Sequence, residues 1–327
     1  MGAFDFLKTD ANQHGWHTPT STIDWCELNY TYSYYIAELV NTLTNVPVIA
    51  LGLYCAYATV ANGVPPRYAL VYLGLALIGI GSFGFHASLQ WEWQLMDELP
   101  MIYVASYAAY LVIDTLPGWK HRFGPSGPIA VLAWCIFVTV SYISLPNPVY
   151  HQIAFAGIMT TASLRSIYLL FRLPAERRAK IARLLLIGLG IFVGGFGIWN
   201  LDNYFCTELR ATRAWLEDRG LGELGHFTQG HGYWHLMTGY GGALLFTAAV
   251  ALCLEVKTSP YAYDFDATSW FPVVYTVPHD QRDHLKALET LDEKAPLVDA
   301  SGTSSSFTES RTTTARRTSD PTSVERA

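Results

Sequence analysis

The sequence predicts an all-α integral membrane protein, a bundle of seven transmembrane helices. Of its 327 residues, 51% are hydrophobic and only 15% are charged, whereas a soluble domain is nearer to a quarter charged. The apolar residues cluster in runs of about 20 residues, the length that crosses a bilayer as a helix. Backbone hydrogen bonds must be satisfied within lipid, and these runs are too long for barrel strands, so each run is predicted to be a helix.

Seven such runs divide the chain into three parts. The runs cover 38–60, 68–88, 97–116, 127–146, 151–171, 184–205 and 231–255. A polar, aromatic-rich N-terminal segment (1–37) precedes a seven-helix membrane domain (38–255), and a tail (256–327) follows it. The end of the tail is rich in Ser, Thr and charge and almost lacks apolar residues, so the tail is predicted to be largely disordered.

The charges of the loops orient the bundle. An odd number of spans puts the two termini on opposite sides, and one set of loops carries most of the basic residues, among them Arg67, Lys120, Arg122 and Arg172. Positive loops stay in the cytosol. The N-terminus is therefore predicted to be lumenal and the C-terminus cytosolic.

Two histidines open the last apolar run, in the stretch Gly230-His231-Gly232-Tyr233-Trp234-His235. On a helix, residues four apart lie on one face, one turn from each other. Two imidazoles at this spacing can bind one metal ion, as they do in zinc metalloproteases. Stacked or hydrogen-bonded histidines at a membrane surface would explain the same spacing.

A second polar group lies in residues 81–100. Ser82 and His86 stand four apart at the end of the second run, and Asp97 opens the third. With His231 and His235, these residues are expected at one depth near the lumenal surface. Each has a structural explanation when taken alone, such as a helix cap for Asp97. Ionisable groups within membrane helices are functional by default, however, and five groups from three helices favour a site.

The residue types fit a catalytic zinc. Three histidines and a water form a standard open zinc site, and zinc activates water and polarises a carbonyl. Asp97 can take the water's proton and return it to a leaving group. Ser82 can donate a hydrogen bond to the developing oxyanion.

The N-terminal segment offers a second set of ligands. Asp24, Glu27, Asn29, Glu38 and the backbone carbonyl of Trp25 supply hard oxygen atoms, which suit calcium. Their spacing alone favours a solvated acidic face. Asn29-Tyr30-Thr31 is also a glycosylation sequon, and an Asn29 that binds a metal should not carry sugar.

Two cysteines, Cys26 and Cys206, lie on the predicted lumenal side. This compartment is oxidising, so a disulfide between the N-terminal segment and the sixth span is predicted. Two free thiols are the alternative.

Four separated motifs resemble one known family. TSTIDWCELN, GSFGFHASLQ with MDELPM, WNLDNYFC and GHGYWHLMTGYG occur in order between about residues 15 and 250, and together they resemble the alkaline ceramidases. These are seven-helix membrane amidohydrolases related in fold to the adiponectin and progestin receptors. The resemblance implies a zinc bound by His86, His231 and His235, with Ser82 and Asp97 as catalytic partners. It also implies a structural calcium bound by Asp24, Trp25, Glu27, Asn29 and Glu38.

The activity implied by the resemblance is hydrolysis of the ceramide amide bond, in phytoceramide or dihydroceramide, to a sphingoid base and a fatty acid. The substrate would come from the bilayer of the endoplasmic reticulum or Golgi, with the site toward the lumen. Basic residues are too few to suggest nucleic acid, and no protein partner is predicted. A zinc-containing lipid receptor of the same superfold, without turnover, is the main alternative. A transporter would instead show repeats and a midplane site.

Overall fold

A computed structural model of the protein describes residues 15–16, 18–258 and 261–282, and these residues are mostly helical. The helices are α1 (Leu39–Leu43), α2 (Asn45–Ala61), α3 (Ala69–Ser88), α4 (Trp91–Ile113), α5 (Ser126–Ser144), α6 (Pro148–Leu170), α7 (Ala175–Tyr204), α8 (Cys206–Glu217) and α9 (Gly230–Lys257). Helices α1 and α2 meet at Thr44, which keeps a helical backbone. Short 3₁₀ helices lie at Pro66–Tyr68, Pro117–Trp119 and Gly222–Thr228.

Six stretches of the described chain are long and apolar enough to cross a membrane. They are Leu39–Ala61, Pro66–Ser88, Ser126–Ser144, Pro148–Leu170, Ala175–Tyr204 and Gly230–Lys257. Helix α4 has 23 residues but carries Glu92, Asp97 and Glu98, and it is not among the six. The apolar helices confirm a multi-pass helical membrane protein.

Helix α9 packs against α7, α2, α3 and α4. Small residues bring α7 and α9 together, since a methyl group on Gly241 would lie 2.8 Å from the carbonyl oxygen of Gly188. Such small residues let helix backbones approach closely in membranes. The buried hydroxyls of Tyr72 and Thr247, 2.8 Å apart, join α3 to α9. Helix α9 thus lies beside each helix that carries a predicted site residue.

A hairpin follows α9. Strands β1 (Tyr263–Phe265) and β2 (Val274–Thr276) are antiparallel, and their paired residues Phe265 and Val274 are buried. Arg177 at the start of α7 forms ion pairs with Glu255 near the end of α9 and with Asp264 in β1. The hairpin falls within the stretch that the sequence assigned to the tail, and its three-residue strands are too short for an alternating pattern to reveal. The Ser/Thr-rich part of the tail lies outside the described residues.

The segment between α3 and α4 is shorter than the sequence predicted. Residues 89–96 were expected to form a loop, but only Leu89 and Gln90 lie between the helices. Leu89 is buried in a left-handed conformation with φ 52°, and its carbonyl accepts hydrogen bonds from the backbone N–H groups of Thr20 and Ser21. The N-terminal segment therefore stabilises this turn, which hydropathy cannot predict. As a result, Asp97 lies in the second turn of α4 and does not open the helix.

Candidate metal and catalytic site

The three predicted histidines come together in the structure. His86 lies in the last turn of α3, and His231 and His235 lie in the first two turns of α9. All three are buried, and one nitrogen of each lies within 4.8 Å of the others. Among the residues that the structure describes, no other group of three or more His, Cys, Asp or Glu side chains is close enough to hold a metal ion.

Hydrogen bonds orient two of the imidazoles. The Nδ1 atom of His86 bonds to a carboxylate oxygen of Glu38, and Nδ1 of His235 lies 2.9 Å from the Thr44 hydroxyl. In His86 this leaves Nε2 for another partner. Nε2 of His86 and Nδ1 of His231 are buried without a hydrogen-bond partner in the described structure. Buried imidazole nitrogens are normally partnered, so this arrangement fits metal ligation with oriented ligands.

Ser82 and Asp97 lie beside the histidines. The Ser82 hydroxyl is 3.4 Å from Nε2 of His235 and accepts a hydrogen bond from the Asn45 side chain at 3.1 Å. The carboxylate of Asp97 lies beside this hydroxyl. Gln90, and not Asp97, is the N-cap residue of α4, so a capping role does not explain Asp97. The structure therefore brings all five residues of the predicted site together.

Gly81 allows α4 to reach this position. A methyl group there would lie 1.8 Å from the Met96 carbonyl oxygen and 2.8 Å from the backbone nitrogen of Asp97. The backbone of α4 thus contacts α3 one residue before Ser82. Only glycine permits this approach, which sets the distance between Ser82 and Asp97.

The start of α9 is fixed by residues that hydropathy did not reveal. The Asp202 carboxylate on α7 accepts a hydrogen bond from the backbone N–H of Gly230 at 3.0 Å. The guanidinium of Arg213 lies 3.6 Å from this carboxylate and donates to the carbonyls of Thr228 and Cys26, each at 2.9 Å. These contacts position the first turn of α9, which carries His231.

The N-terminal acidic residues are partly buried. The Glu27 carboxylate accepts hydrogen bonds from the backbone N–H groups of Val40 and Asn41, at 2.7 and 2.9 Å. Burial, and to a smaller extent the charge of Glu38, raise the pKa of Glu27 to about 8. Two carboxyl groups therefore lie close together away from solvent, which is unfavourable unless a proton or a cation offsets their charge.

The other predicted calcium ligands lie nearby. The Asn29 side-chain nitrogen donates to Asp24 at 2.9 Å, and Arg210 donates to the Trp25 carbonyl at 2.9 Å. One carboxylate oxygen of Glu38 and the side-chain oxygen of Asn29 are buried without a hydrogen-bond partner in the described structure. The sequon nitrogen of Asn29 is engaged by Asp24, which favours a structural role for Asn29 over glycosylation.

The predicted disulfide is confirmed. Cys26 and Cys206 are bonded, with their Cα atoms 5.4 Å apart. Cys206 is the first residue of α8, directly after α7, so the bond ties the N-terminal segment to the junction of these helices. It lies beside Arg213, which donates to the Cys26 carbonyl.

Several supporting residues were missed by the sequence analysis. Thr44 and Asn45 contact His235 and Ser82 from the first apolar run, and Glu38 contacts His86. A polar residue inside an apolar run is a signal that could have pointed to Thr44 and Asn45. The roles of Asp202 and Arg213 depend on tertiary contacts and have no such local signal.

Comparison with known proteins identifies relatives over most of the chain. The model of the Ceramidase family matches residues 17–278. Alkaline ceramidase 3 of Mus musculus is 34% identical over 229 residues, which cover 70% of this chain and 82% of the mouse protein. Alkaline ceramidase YPC1 of Saccharomyces cerevisiae is 33% identical over 254 residues, 74% of this chain and 79% of the yeast protein. An alkaline ceramidase of Caenorhabditis briggsae is 27% identical, covering 79% of this chain and 90% of its own length.

Proposed function

The chain belongs to the ceramidase family, and we propose that it hydrolyses the amide bond of ceramide-type lipids to a free fatty acid and a sphingoid base. The observation that carries this proposal is the buried cluster of His86, His231 and His235, with Ser82 and Asp97 against it. Ceramide is a two-chain membrane lipid, so a site between membrane helices suits it. The relatives from mouse and yeast are named alkaline ceramidases.

The metal proposed for the histidine cluster is zinc. Three imidazole nitrogens are a standard ligand set for catalytic zinc, which keeps a fourth position open. The unpartnered nitrogens of His86 and His231 support ligation, and the carboxylate of Glu38 behind His86 is the usual second partner of a zinc-bound histidine. When bound, zinc would polarise the amide carbonyl and lower the pKa of water.

The other groups of the site move protons and stabilise charge. Asp97 takes a proton from the attacking water and passes it to the departing amine, while the amide C–N bond breaks. The Ser82 hydroxyl, which lies beside Asp97, can donate a hydrogen bond to the carbonyl oxygen as that atom gains negative charge. Asn45 donates to the Ser82 oxygen at 3.1 Å and thereby holds this hydroxyl beside the carboxylate.

The proposed topology has seven spans, with α4 as the third. Helix α4 packs between α3 and α6 and has the length of its neighbours, which supports a span despite its acidic residues. With seven spans, the basic loops at Arg67, Lys120 and Arg172 fall on one side, which would be cytosolic. In this arrangement residues 1–37 and the site lie toward the lumen of the endoplasmic reticulum or Golgi, and residues 256–327 lie in the cytosol.

We also propose a calcium ion near the N-terminal segment, bound by Asp24, Trp25, Glu27, Asn29 and Glu38. The support is the pair of buried, unpartnered oxygens on Glu38 and Asn29 and the proximity of two buried carboxyl groups. Calcium takes six to eight oxygen ligands, including backbone carbonyls. Elemental analysis of purified protein tests this part: bound calcium that Glu38→Ala loses is expected, and wild-type protein without calcium would refute it.

Mass spectrometry of lipid products tests the activity. Purified wild-type protein is expected to release sphingoid base from phytoceramide, dihydroceramide or ceramide. Asp97→Asn should lower the rate by about 10²–10⁴-fold, the usual contribution of a general acid–base group, and keep its zinc because no ligand changes. Glu92→Gln removes a carboxylate from the exposed first turn of the same helix and should leave the rate unchanged. A zinc-containing protein that releases base from none of these lipids would instead support a receptor.

A further inference from the structure

A cleft of about 750 Å³ opens between α4 and α5, beyond the site. Tyr103, Tyr107 and Tyr110 of α4 line one wall, and the stretch from Pro128 to Val140 of α5 lines the other. At 1.5 Å per residue, that stretch extends over about 18 Å. This is roughly half the thickness of the ~30 Å hydrocarbon core. The cleft therefore has the length of one acyl chain in one leaflet and a volume typical of ligand sites.

The cleft opens to the membrane, and none of the five residues of the candidate site lines it. The hydroxyls of Tyr103 and Thr139 are hydrogen-bonded across the end of the cleft that lies nearer to the candidate site. On the α5 wall, the side chains of Leu132 and Val140 are 61% and 60% exposed. In a bilayer these side chains would contact lipid. An occupant can enter from the leaflet. Asp97 lies six residues before Tyr103 on α4, so the hydrogen-bonded pair marks the end of the cleft nearer to the candidate site.

The opposite end of the cleft is lined by basic residues. Arg67 and His121 line it, and Lys120 and Arg122 flank His121 in the chain. The Arg67 guanidinium lies over the rings of Tyr68 and Trp119, at 4.7 and 5.3 Å. Its Nε is buried without a hydrogen-bond partner in the described structure.

None of the ion pairs among the described residues includes Arg67. The Asp114 carboxylate lies nearby, but it bonds to other groups. It lies 2.7 Å from Nδ1 of His121 and accepts a hydrogen bond from the backbone N–H of Arg122 at 2.8 Å. The rings of Tyr68 and Trp119 thus hold the Arg67 guanidinium at the cleft, and no carboxylate among the described residues forms an ion pair with it.

We propose that this cleft binds one anionic glycerophospholipid, with an acyl chain between α4 and α5 and the phosphate at Arg67. Charge complementarity identifies the occupant, because the apolar walls end at an unpaired guanidinium. Basic pockets between membrane helices on the cytosolic side bind anionic lipid headgroups. Ceramide carries no anionic group, so the site differs in chemistry from the catalytic one. Helix α4 forms both sites, so the lipid would also stabilise the helix that carries Asp97.

Native mass spectrometry of the full chain in detergent tests the proposal, with phosphatidylserine and phosphatidylcholine of identical acyl chains as probes. The wild type should retain one phosphatidylserine in preference to phosphatidylcholine. Arg67→Gln should weaken phosphatidylserine retention about fivefold, the effect of one basic residue at a lipid surface. Arg172→Gln removes an exposed arginine at the same end of the bundle, outside the cleft, and should bind as the wild type does.

A second variant tests the cleft even if Arg67→Gln does not fold. Ile136→Trp fills the cleft from α5 at a position that is 55% exposed, leaves Arg67 in place, and should also lose the lipid. Wild-type retention by either variant would overturn the proposal. Equal retention of phosphatidylcholine would also overturn it, because the cleft would then be a general lipid groove. Displacement of phosphatidylserine by ceramide would overturn it as well, because the cleft would then be part of the substrate path.

Discussion

Replacing Gly81 with alanine should separate Asp97 from the rest of the site. The added methyl group would lie 1.8 Å from the Met96 carbonyl oxygen, whereas side-chain Cβ atoms essentially never come closer than 3.0 Å. The obstacle is the backbone of α4, which cannot rotate away as a side chain can. Helices α3 and α4 must therefore move apart by roughly 1.2 Å at the level of the Asp97 carboxylate.

This displacement predicts a large loss of rate with a small loss of stability. A misplacement of about 1 Å in a catalytic group can cost about 10²-fold, so Gly81→Ala should lower turnover by roughly that factor. Overpacking costs about 1–3 kcal/mol, partly offset because alanine is about 1 kcal/mol better than glycine in a helix. The zinc content should stay near that of the wild type, since the ligands lie on α3 and α9 and the displaced helix carries none.

The assay compares ceramide turnover, zinc content and thermal unfolding for Gly81→Ala and for Gly190→Ala. Gly190 lies inside α7, and a methyl group there would meet no atom within 4 Å. This control should keep wild-type activity. If Gly81→Ala were as active as Gly190→Ala, the close contact of α3 and α4 would not position Asp97.

Three further predictions concern residues around the site. Glu38→Gln should weaken zinc retention against a chelator about 10–100-fold, because the hydrogen bond that orients His86 changes; unchanged retention would exclude this role. Cys206→Ser should lower the free energy of unfolding by about 2–4 kcal/mol through loss of the bond to Cys26, and thermal unfolding equal to that of the wild type would contradict it. Asp202→Ala should lower the free energy of unfolding by about 1 kcal/mol, because it removes the carboxylate that accepts a hydrogen bond from the Gly230 backbone N–H at the start of α9. Thermal unfolding should show a lower midpoint, and an unchanged midpoint would contradict this role.

The sequence predicted the site better than it predicted the ends of the helices. A spacing of four residues placed Ser82 with His86, and His231 with His235, because helical periodicity is local. Asp97 was also identified, but its position was not, since the turn at Leu89 depends on hydrogen bonds from Thr20 and Ser21. Hydropathy carries no information on such contacts between distant segments.

The residues that support the site also depend on contacts between distant segments. Asp202 lies within a motif that the sequence singled out, yet its bond to Gly230 spans 28 residues and joins two helices. Arg213 links the N-terminal segment to α9 from a stretch that was expected to be only a loop. Both depend on tertiary packing, which a single sequence does not encode in any local pattern.

Zinc analysis paired with ceramide turnover tests whether the histidine cluster binds a zinc ion that ceramide hydrolysis requires. The measurement compares wild-type protein, His231→Ala and the control His226→Ala, a histidine outside the cluster. One zinc per chain, with zinc–nitrogen distances of about 2.0–2.1 Å by X-ray absorption, is expected together with product in the wild type and the control. Both should be lost in His231→Ala. Full turnover by protein that lacks zinc, or zinc and product retained in His231→Ala, would contradict it.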